Sequence, residues 1–213
     1  VFLDMQKNKQ LSASPIRDAF TIPGNARRIV SFLFGVACAQ AITFYTAQFY
    51  ALYFLQSVMH VDFLSATLAV ALGAVCGLPF FIVFGALSDR IGRKRLSLCG
   101  MAAAVFLYLP MFMLLRSAVH GTTIDFLPVA GTVFLLVVIA AMIYGPYGAF
   151  IVERFPPAVR STSISITYHI GNGIFGGFLP LIGLSLGNLP GTVFAVLIYP
   201  TAVSFVCFLV PPF

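Results

Sequence analysis

The sequence predicts an all-α membrane protein with six transmembrane helices. Two observations carry that prediction: an apolar composition, and charges gathered between long uncharged runs. Of 213 residues, 60% are hydrophobic and 8% are charged, with a mean hydropathy of +1.02. A soluble domain carries about 25% charged residues, so this chain has too few charges to cover a water-facing surface. A soluble enzyme, a disordered tail and a nucleic-acid-binding domain are excluded on that ground. The net charge of +6 does not point to nucleic acid. The Lys and Arg residues sit at the ends of apolar runs, where membrane proteins carry topology signals.

Each element is set by where the charges fall. Residues 1–28 hold Asp4, Lys7, Lys9, Arg17, Asp18, Arg27 and Arg28. They read as a cytoplasmic linker segment ahead of a transmembrane domain over 29–213, and they show no signal-peptide pattern. Asp62, the cluster Asp89 to Arg95, Arg116, Asp125 and the pair Glu153-Arg154 divide the rest of the chain. A spanning helix needs about 20 mainly apolar residues. Spans are therefore predicted at 29–58, 64–87, 96–115, 128–152, 161–185 and 191–210. The last two come from one uncharged run, split at the turn signal Gly187-Asn188-Leu189-Pro190-Gly191. The runs are too long, and alternate too little, for barrel strands.

Orientation is read from the basic residues. With the N-terminus inside, eleven of the twelve Lys and Arg fall on inside segments, and Arg116 alone falls outside. Both ends are expected to be cytoplasmic. Cys38, Cys76, Cys99 and Cys207 each lie in an apolar run without a CxxC neighbour. They read as packing residues rather than as a disulfide framework or a metal site. No metal is expected.

The second and third spans are joined by Gly85-Ala86-Leu87-Ser88-Asp89-Arg90-Ile91-Gly92-Arg93-Lys94. Gly85 permits close helix approach, and Asp89 can cap a helix or pair with a cation. Gly92 permits a tight reversal. Arg93, Lys94 and Arg95 hold the loop on the cytoplasmic side. By composition alone this is an ordinary basic loop, but the spacing is more specific. The pattern G-x-L-x-D-R-x-G-R-K resembles the signature loop of the major facilitator superfamily. Further segments narrow the likeness: Tyr45 to Gln56, Pro79 to Arg90, Tyr144-Gly145-Pro146, Glu153-Arg154-Phe155-Pro156 with Arg160, and Tyr168 to Pro180. Together, over residues 14–205, they are similar to the metabolite:proton symporters, and to the C-terminal half only, spans seven to twelve. One stretch departs from that family. It is Gly-rich and Trp-containing in relatives, but here reads Ala39-Gln40-Ala41-Ile42-Thr43-Phe44.

The resemblance implies one half of a twelve-helix fold, built as two inverted three-helix repeats, with a substrate site near the midplane. It implies transport of a small organic acid or zwitterion, such as 2-oxoglutarate, citrate, shikimate, proline or betaine. The energy source would be a proton gradient, with no cofactor. The setting would be a bacterial inner membrane, and the partner an N-terminal six-span half. The rival reading is a truncated or degenerate half that inserts but transports nothing. An intramembrane enzyme has no support: no HExxH and no carboxylate pair lies inside a span.

All six carboxylates sit at span ends, so His169 is the mid-span titratable candidate besides Tyr and Cys. It is either a substrate or gating contact or a hydrogen-bonded packing residue. In the fifth span Ser161, Ser165, Tyr168 and Asn172 share a helical face. Tyr45, Gln48 and Gln56 share one in the first span, and Tyr144 and Tyr147 pair in the fourth. These stripes face either another helix or a wet cavity, and the resemblance to spans seven, ten and eleven points to the cavity. Gly73…Gly77 and Gly173…Gly177 are GxxxG pairs that predict close packing. Pro79, Pro146 and Pro180 can kink their helices. Asp89, Arg90, Glu153 and Arg160 are expected to form a cytoplasmic charge network.

Overall fold

A computed structural model describes residues 14–187 and 194–210. A short helix α1 (Pro15–Thr21) precedes a long one, α2 (Asn25–Val58). Three more long helices come next: α3 (Phe63–Ile91), α4 (Arg93–Ser117) and α5 (Phe126–Arg154). Among the described residues, these four long helices, α2 to α5, are long and apolar enough to cross a membrane. After them stand α6 (Arg160–Ile170), a π-helical turn at Gly171–Gly176, and α7 (Phe178–Gly187). A 3-10 turn at Ala195–Leu197 leads into α8 (Ile198–Leu209). The expected fifth span therefore runs through a π-helical turn and the single residue Gly177. The last apolar helix, Ala195–Leu209, begins four residues after its expected start. The turn segment 188–191 and the residues Asp4, Lys7 and Lys9 lie outside the described residues.

The helix ends reflect local chemistry. Asp62 caps α3 by accepting from Leu64 N and Ser65 N, both at 3.1 Å. That satisfies two of the amides that a helix start leaves unpaired. Gly92 separates α3 from α4 as a single residue with φ +94°. Side chains with a Cβ rarely adopt that conformation. Between α4 and α5 a small hairpin pairs Val119 with Ile124 and His120 with Thr123. It is the one sheet among the described residues. Pro79, Pro110 and Pro146 all lie inside helices.

Glycine sets how the helices meet. A Cβ on Gly73 would lie 2.7 Å from Ala130 O, and one on Gly145 would lie 2.8 Å from Phe81 O. So α3 and α5 approach backbone to backbone, as the first GxxxG pair predicted. Hydrocarbon gives no hydrophobic drive, and close van der Waals packing takes its place. The second GxxxG pair acts differently. Gly173 has nothing nearby, while Gly171 lies against Ala37 O (3.0 Å for an added Cβ) and Gly176 against the Tyr45 ring (2.8 Å). The π-helical turn shifts the register, so the packing glycines stand five apart rather than four. Both contacts run in the same chain direction along α2, as do those of α3 with α5. So α3 runs parallel to α5, and the stretch after α6 runs parallel to α2.

The bundle has a centre and an outside. In its most apolar stretch α2 is 72% buried, whereas α3 is 22% buried. Exposed Leu68, Leu72, Val75, Leu78 and Ile82 on α3 form a surface suited to lipid. Two cores flank α2. One gathers Tyr50, Phe54, Tyr108 and Phe112, and the other Phe32, Met101, Ile143, Tyr147 and Phe155. Cys38 and Cys207 are buried in the second, while Cys76 and Cys99 are exposed. The basic segments collect at one end. Asn25 Nδ2 donates to Ser163 Oγ at 3.0 Å, and Arg93 meets Glu153 there. The opposite end holds the capped Asp62, whose amide donates to Thr122 O at 3.3 Å.

Candidate functional site

Three helices bring uncharged polar and aromatic groups together mid-bundle. On α2 these are Gln40, Phe44 and Tyr45, on α5 Tyr144 and Tyr147, and across the α6 junction Tyr168, His169 and Asn172. Tyr144 and Tyr168 approach hydroxyl to hydroxyl at 3.4 Å. Their rings form a chain: Phe44 lies 5.5 Å from Tyr144, Tyr144 6.3 Å from Tyr147, and Tyr147 6.2 Å from Tyr168. Tyr168 then meets the His169 ring edge to face at 5.5 Å. Phe81 adds a ring from α3, 5.6 Å from Tyr144.

Asn172 ties the junction to α2. Its Nδ2 donates to Gln40 Oε1 at 3.3 Å and to Tyr168 O at 3.0 Å. Gln40 is fully buried, and its own Nε2 has no partner. Tyr147 is also buried with an unpartnered hydroxyl. Buried polar atoms are nearly always paired; these two lie beside the polar strip, while Tyr50, Ser97, Tyr108 and Ser204 hold similar atoms elsewhere in the bundle. Gln40, Phe44 and Phe81 were not among the sequence candidates. The signal for Gln40 was available: it is an amide in an uncharged run, four residues before Phe44.

The two predicted stripes fare differently. Gln56 turns to α3, where its Nε2 donates to Thr67 Oγ1 at 3.2 Å. Tyr45, Gln48 and Gln56 therefore do not form one face. Three π-helical segments, Leu33–Ala37, Thr46–Tyr50 and Phe54–Val58, break the α-helical register along α2. Gln48 is half-buried within the second of these. In α6 the register holds. Ser161 and Ser165 are exposed, while Tyr168 and Asn172 are half-buried and bonded across helices. Ser163 and Thr167 take the fully buried side.

At the basic end, Arg93 is the bridging cation. Its Nη2 bonds Asp89 Oδ1 at 3.1 Å, and its Nη1 stands 2.8 Å from Glu153 Oε1. The second contact lacks hydrogen-bond alignment and acts as a charge contact. Asp89 lies in the last turn of α3 and so pairs with a cation rather than capping a helix. Arg90 and Lys94 are exposed, and Arg160 Nε donates to Phe155 O at 3.1 Å. Gly85 faces Gly145 O, 3.6 Å from an added Cβ. The expected network thus forms around Asp89 and Glu153, through Arg93 and not through Arg90 or Arg160.

The site offers hydrogen bonds and π faces but no fixed charge, because among the described residues the Asp, Glu, Lys and Arg lie at the ends of the long helices, at the start of α6 or in α1. One GxSxG pattern does occur, Gly183-Leu184-Ser185-Leu186-Gly187. Ser185 sits within α7 and its Oγ donates to Leu181 O at 2.9 Å, so no strand-to-helix elbow exposes it as a nucleophile.

Comparison with known proteins agrees with this arrangement. The chain is 30% identical to the alpha-ketoglutarate permease of Escherichia coli (strain K12), over 97% of this chain and 47% of that protein. It is 26% identical to a putative proline/betaine transporter of Staphylococcus aureus (strain COL), over 96% of this chain and 46% of the other. It is 32% identical to the citrate-proton symporter of Klebsiella pneumoniae, over 61% and 28%. The chain thus spans about half the length of the first two. No solved structure matches it. These relatives are transporters and not enzymes. The apolar helices, the motif loop and a match over residues 3–210 agree, and the chain belongs to the MFS/sugar transport protein family of membrane carriers.

Proposed function

We propose that this chain forms the C-terminal half of a secondary carrier. In this reading it moves a small organic acid or zwitterion by proton symport, together with an N-terminal six-span half. The uncharged polar and aromatic strip on α2, α5 and the α6 junction carries the reading. Such a strip is costly against hydrocarbon and is met by neighbouring helices, water, substrate or a second half; its bonds Asn172–Gln40 and Tyr144–Tyr168 satisfy only part of it. The relatives' names, a permease, a proline/betaine transporter and a citrate-proton symporter, support the substrate class and the proton coupling. Both termini are cytoplasmic in this reading, because the basic end carries the charges that membranes retain inside.

Tyr45, Gln48, Tyr144, Tyr147, Tyr168, His169 and Asn172 line the substrate cavity, with Gln40 and Phe44 beside them. Gly85, Asp89, Arg90, Gly92, Arg93, Lys94, Glu153 and Arg160 form the cytoplasmic gate. The proton gradient supplies the energy, and no cofactor takes part.

The test is coexpression with an N-terminal half from a related carrier. Uptake of 2-oxoglutarate, citrate, proline or betaine that collapses with a protonophore is the expected result. Correct insertion with no uptake of any of them favours a half that does not transport.

A further inference from the structure

Ser161, Ser165 and His169 stand at i, i+4 and i+8 on α6, and all three are exposed. The α-helical register holds there, because the π-helical turn begins only at Gly171. The opposite side of α6 is occupied: Ser163 Oγ accepts from Asn25 Nδ2, and Thr167 Oγ1 donates to Ser163 O at 2.8 Å. The large exposed apolar residues of this stretch, Ile174, Phe178 and Leu181, come after the Gly171 step. A polar strip with an imidazole in it does not face hydrocarbon when an apolar alternative exists on the same segment.

The elements packed against α6 carry charged groups at the basic end: Arg17 and Asp18 on α1, Arg27 and Arg28 on α2, and Glu153 and Arg154 on α5. Their other titratable groups are Tyr144 and Tyr147 on α5 and Cys38, Tyr45, Tyr50 and Tyr53 on α2; α6 itself carries Arg160 and Tyr168. Tyr168 is the one in ring contact with His169. Arg160, nine residues earlier in the helix, is engaged with Phe155 O. Among the described residues the Lys and Arg lie at the ends of the long helices, at the start of α6 or in α1, His60 lies in the link before α3 and His120 in the hairpin. Within the helical stretch that runs from α6 through the π-helical turn into α7, His169 is the one side chain beyond Arg160 that can become a cation.

We infer that His169 is the proton-binding site of this half, and that its protonated ring receives the carboxylate of the substrate. The coupling role rests on the proton-symport reading above. Imidazole changes charge between about pH 5 and 8. The proton enters from water on one side of the membrane, and the imidazolium then holds the carboxylate by a charge-assisted bond. After the carrier reorients, substrate and proton leave to water on the other side. One side chain thereby links proton uptake to anion binding, which an uncharged site cannot do.

The first test uses the chain in lipid nanodiscs. Its three histidines give imidazole C–H signals, and the one missing in His169→Gln is His169. The expected result is reversible titration of that signal, with a midpoint that rises when 2-oxoglutarate is added. A signal that does not titrate, or a midpoint indifferent to 2-oxoglutarate, overturns the inference. The second test uses the carrier assembled with an N-terminal half. His169→Gln should keep exchange of substrate but lose accumulation driven by an inward proton gradient, while His120→Gln keeps both. Gradient-driven accumulation by His169→Gln at the unsubstituted level also overturns it. If the unsubstituted carrier accumulates nothing, the symport reading fails, and the nanodisc titration alone decides whether His169 binds proton and carboxylate.

Discussion

The guanidinium of Arg93 lies 2.8 Å from Glu153 Oε1 and 3.1 Å from Asp89 Oδ1, joining the first residue of α4 to the last turns of α3 and α5. The Arg93 side chain is 20% exposed, and the two carboxylates are 64% and 62% exposed. Ion pairs this open to water contribute about 0–1 kcal/mol each. Pairs this weak influence transport only where they are made in one arrangement of the helices and broken in another, since only differential contact shifts a two-state equilibrium.

Asp89→Asn and Glu153→Gln should therefore cost about 1 kcal/mol or less in stability while changing transport in the assembled carrier. Membrane insertion should be unaltered. Equal uptake by both variants and the unsubstituted carrier would show that the triad is only a topology signal.

Gly73 and Gly173 should respond oppositely to a side chain. Gly73→Leu places atoms against the Ala130 and Phe134 backbone. Overpacking of that kind costs about 1–3 kcal/mol. Gly173→Ala meets open space and should stay within about 0.5 kcal/mol of the parent. Unfolding in mixed detergent micelles measures both, and similar losses would contradict the assigned packing.

Asn172→Ala removes the donor to Gln40 Oε1 and leaves a buried amide with no partner at either end. Interhelical hydrogen bonds in membranes are worth about 0.6–2 kcal/mol, and that loss is expected here. Gln40→Leu removes the buried amide altogether and should be near neutral. The same micelle assay reads both, and a Gln40→Leu loss larger than that of Asn172→Ala would refute the asymmetry.

Asp62 gives a pH dependence whose sign is set by its cap. The backbone amide of Ser65, aided by the Ser65 hydroxyl and the Leu64 amide, holds its carboxyl below the ordinary carboxylate value. A depressed carboxyl stabilises the fold fully above its unfolded pKa, near 3.9. That contribution is lost as pH falls through the lowered folded value. The Tm gap between the parent and Asp62→Ala should be constant from neutral to mildly acidic pH and close below that range. A gap that widens on acidification would reverse the assignment.

Much of the architecture was legible in the residues. Charge-free runs marked the long helices, because a spanning segment must be apolar along its whole length, and that is a local property. The expected starts of α3, α4 and α5 fall within three residues of the observed ones. The grouping of basic segments at one end came from the same count, and Gly73…Gly77 marked α3 as closely packed without naming α5 as its partner. Tyr144, Tyr147, Tyr168, His169 and Asn172 were candidates in the sequence and are neighbours in the fold.

Only three-dimensional packing decided the rotation of each helix about its axis. Spacing of three and four assumes an unbroken α-helix, and the π-helical segments of α2 and the turn at Gly171–Gly176 violate that assumption. Gln56 therefore faces Thr67 rather than Tyr45, and Gly171 with Gly176 replaces Gly173 with Gly177 at the α2 contact. Arg93 rather than Arg90 reaches Glu153, because the one-residue link at Gly92 starts α4 beside the last turn of α5. Composition sets which segments enter the bilayer; where helical register breaks, it is contact between helices that sets which side chain meets which.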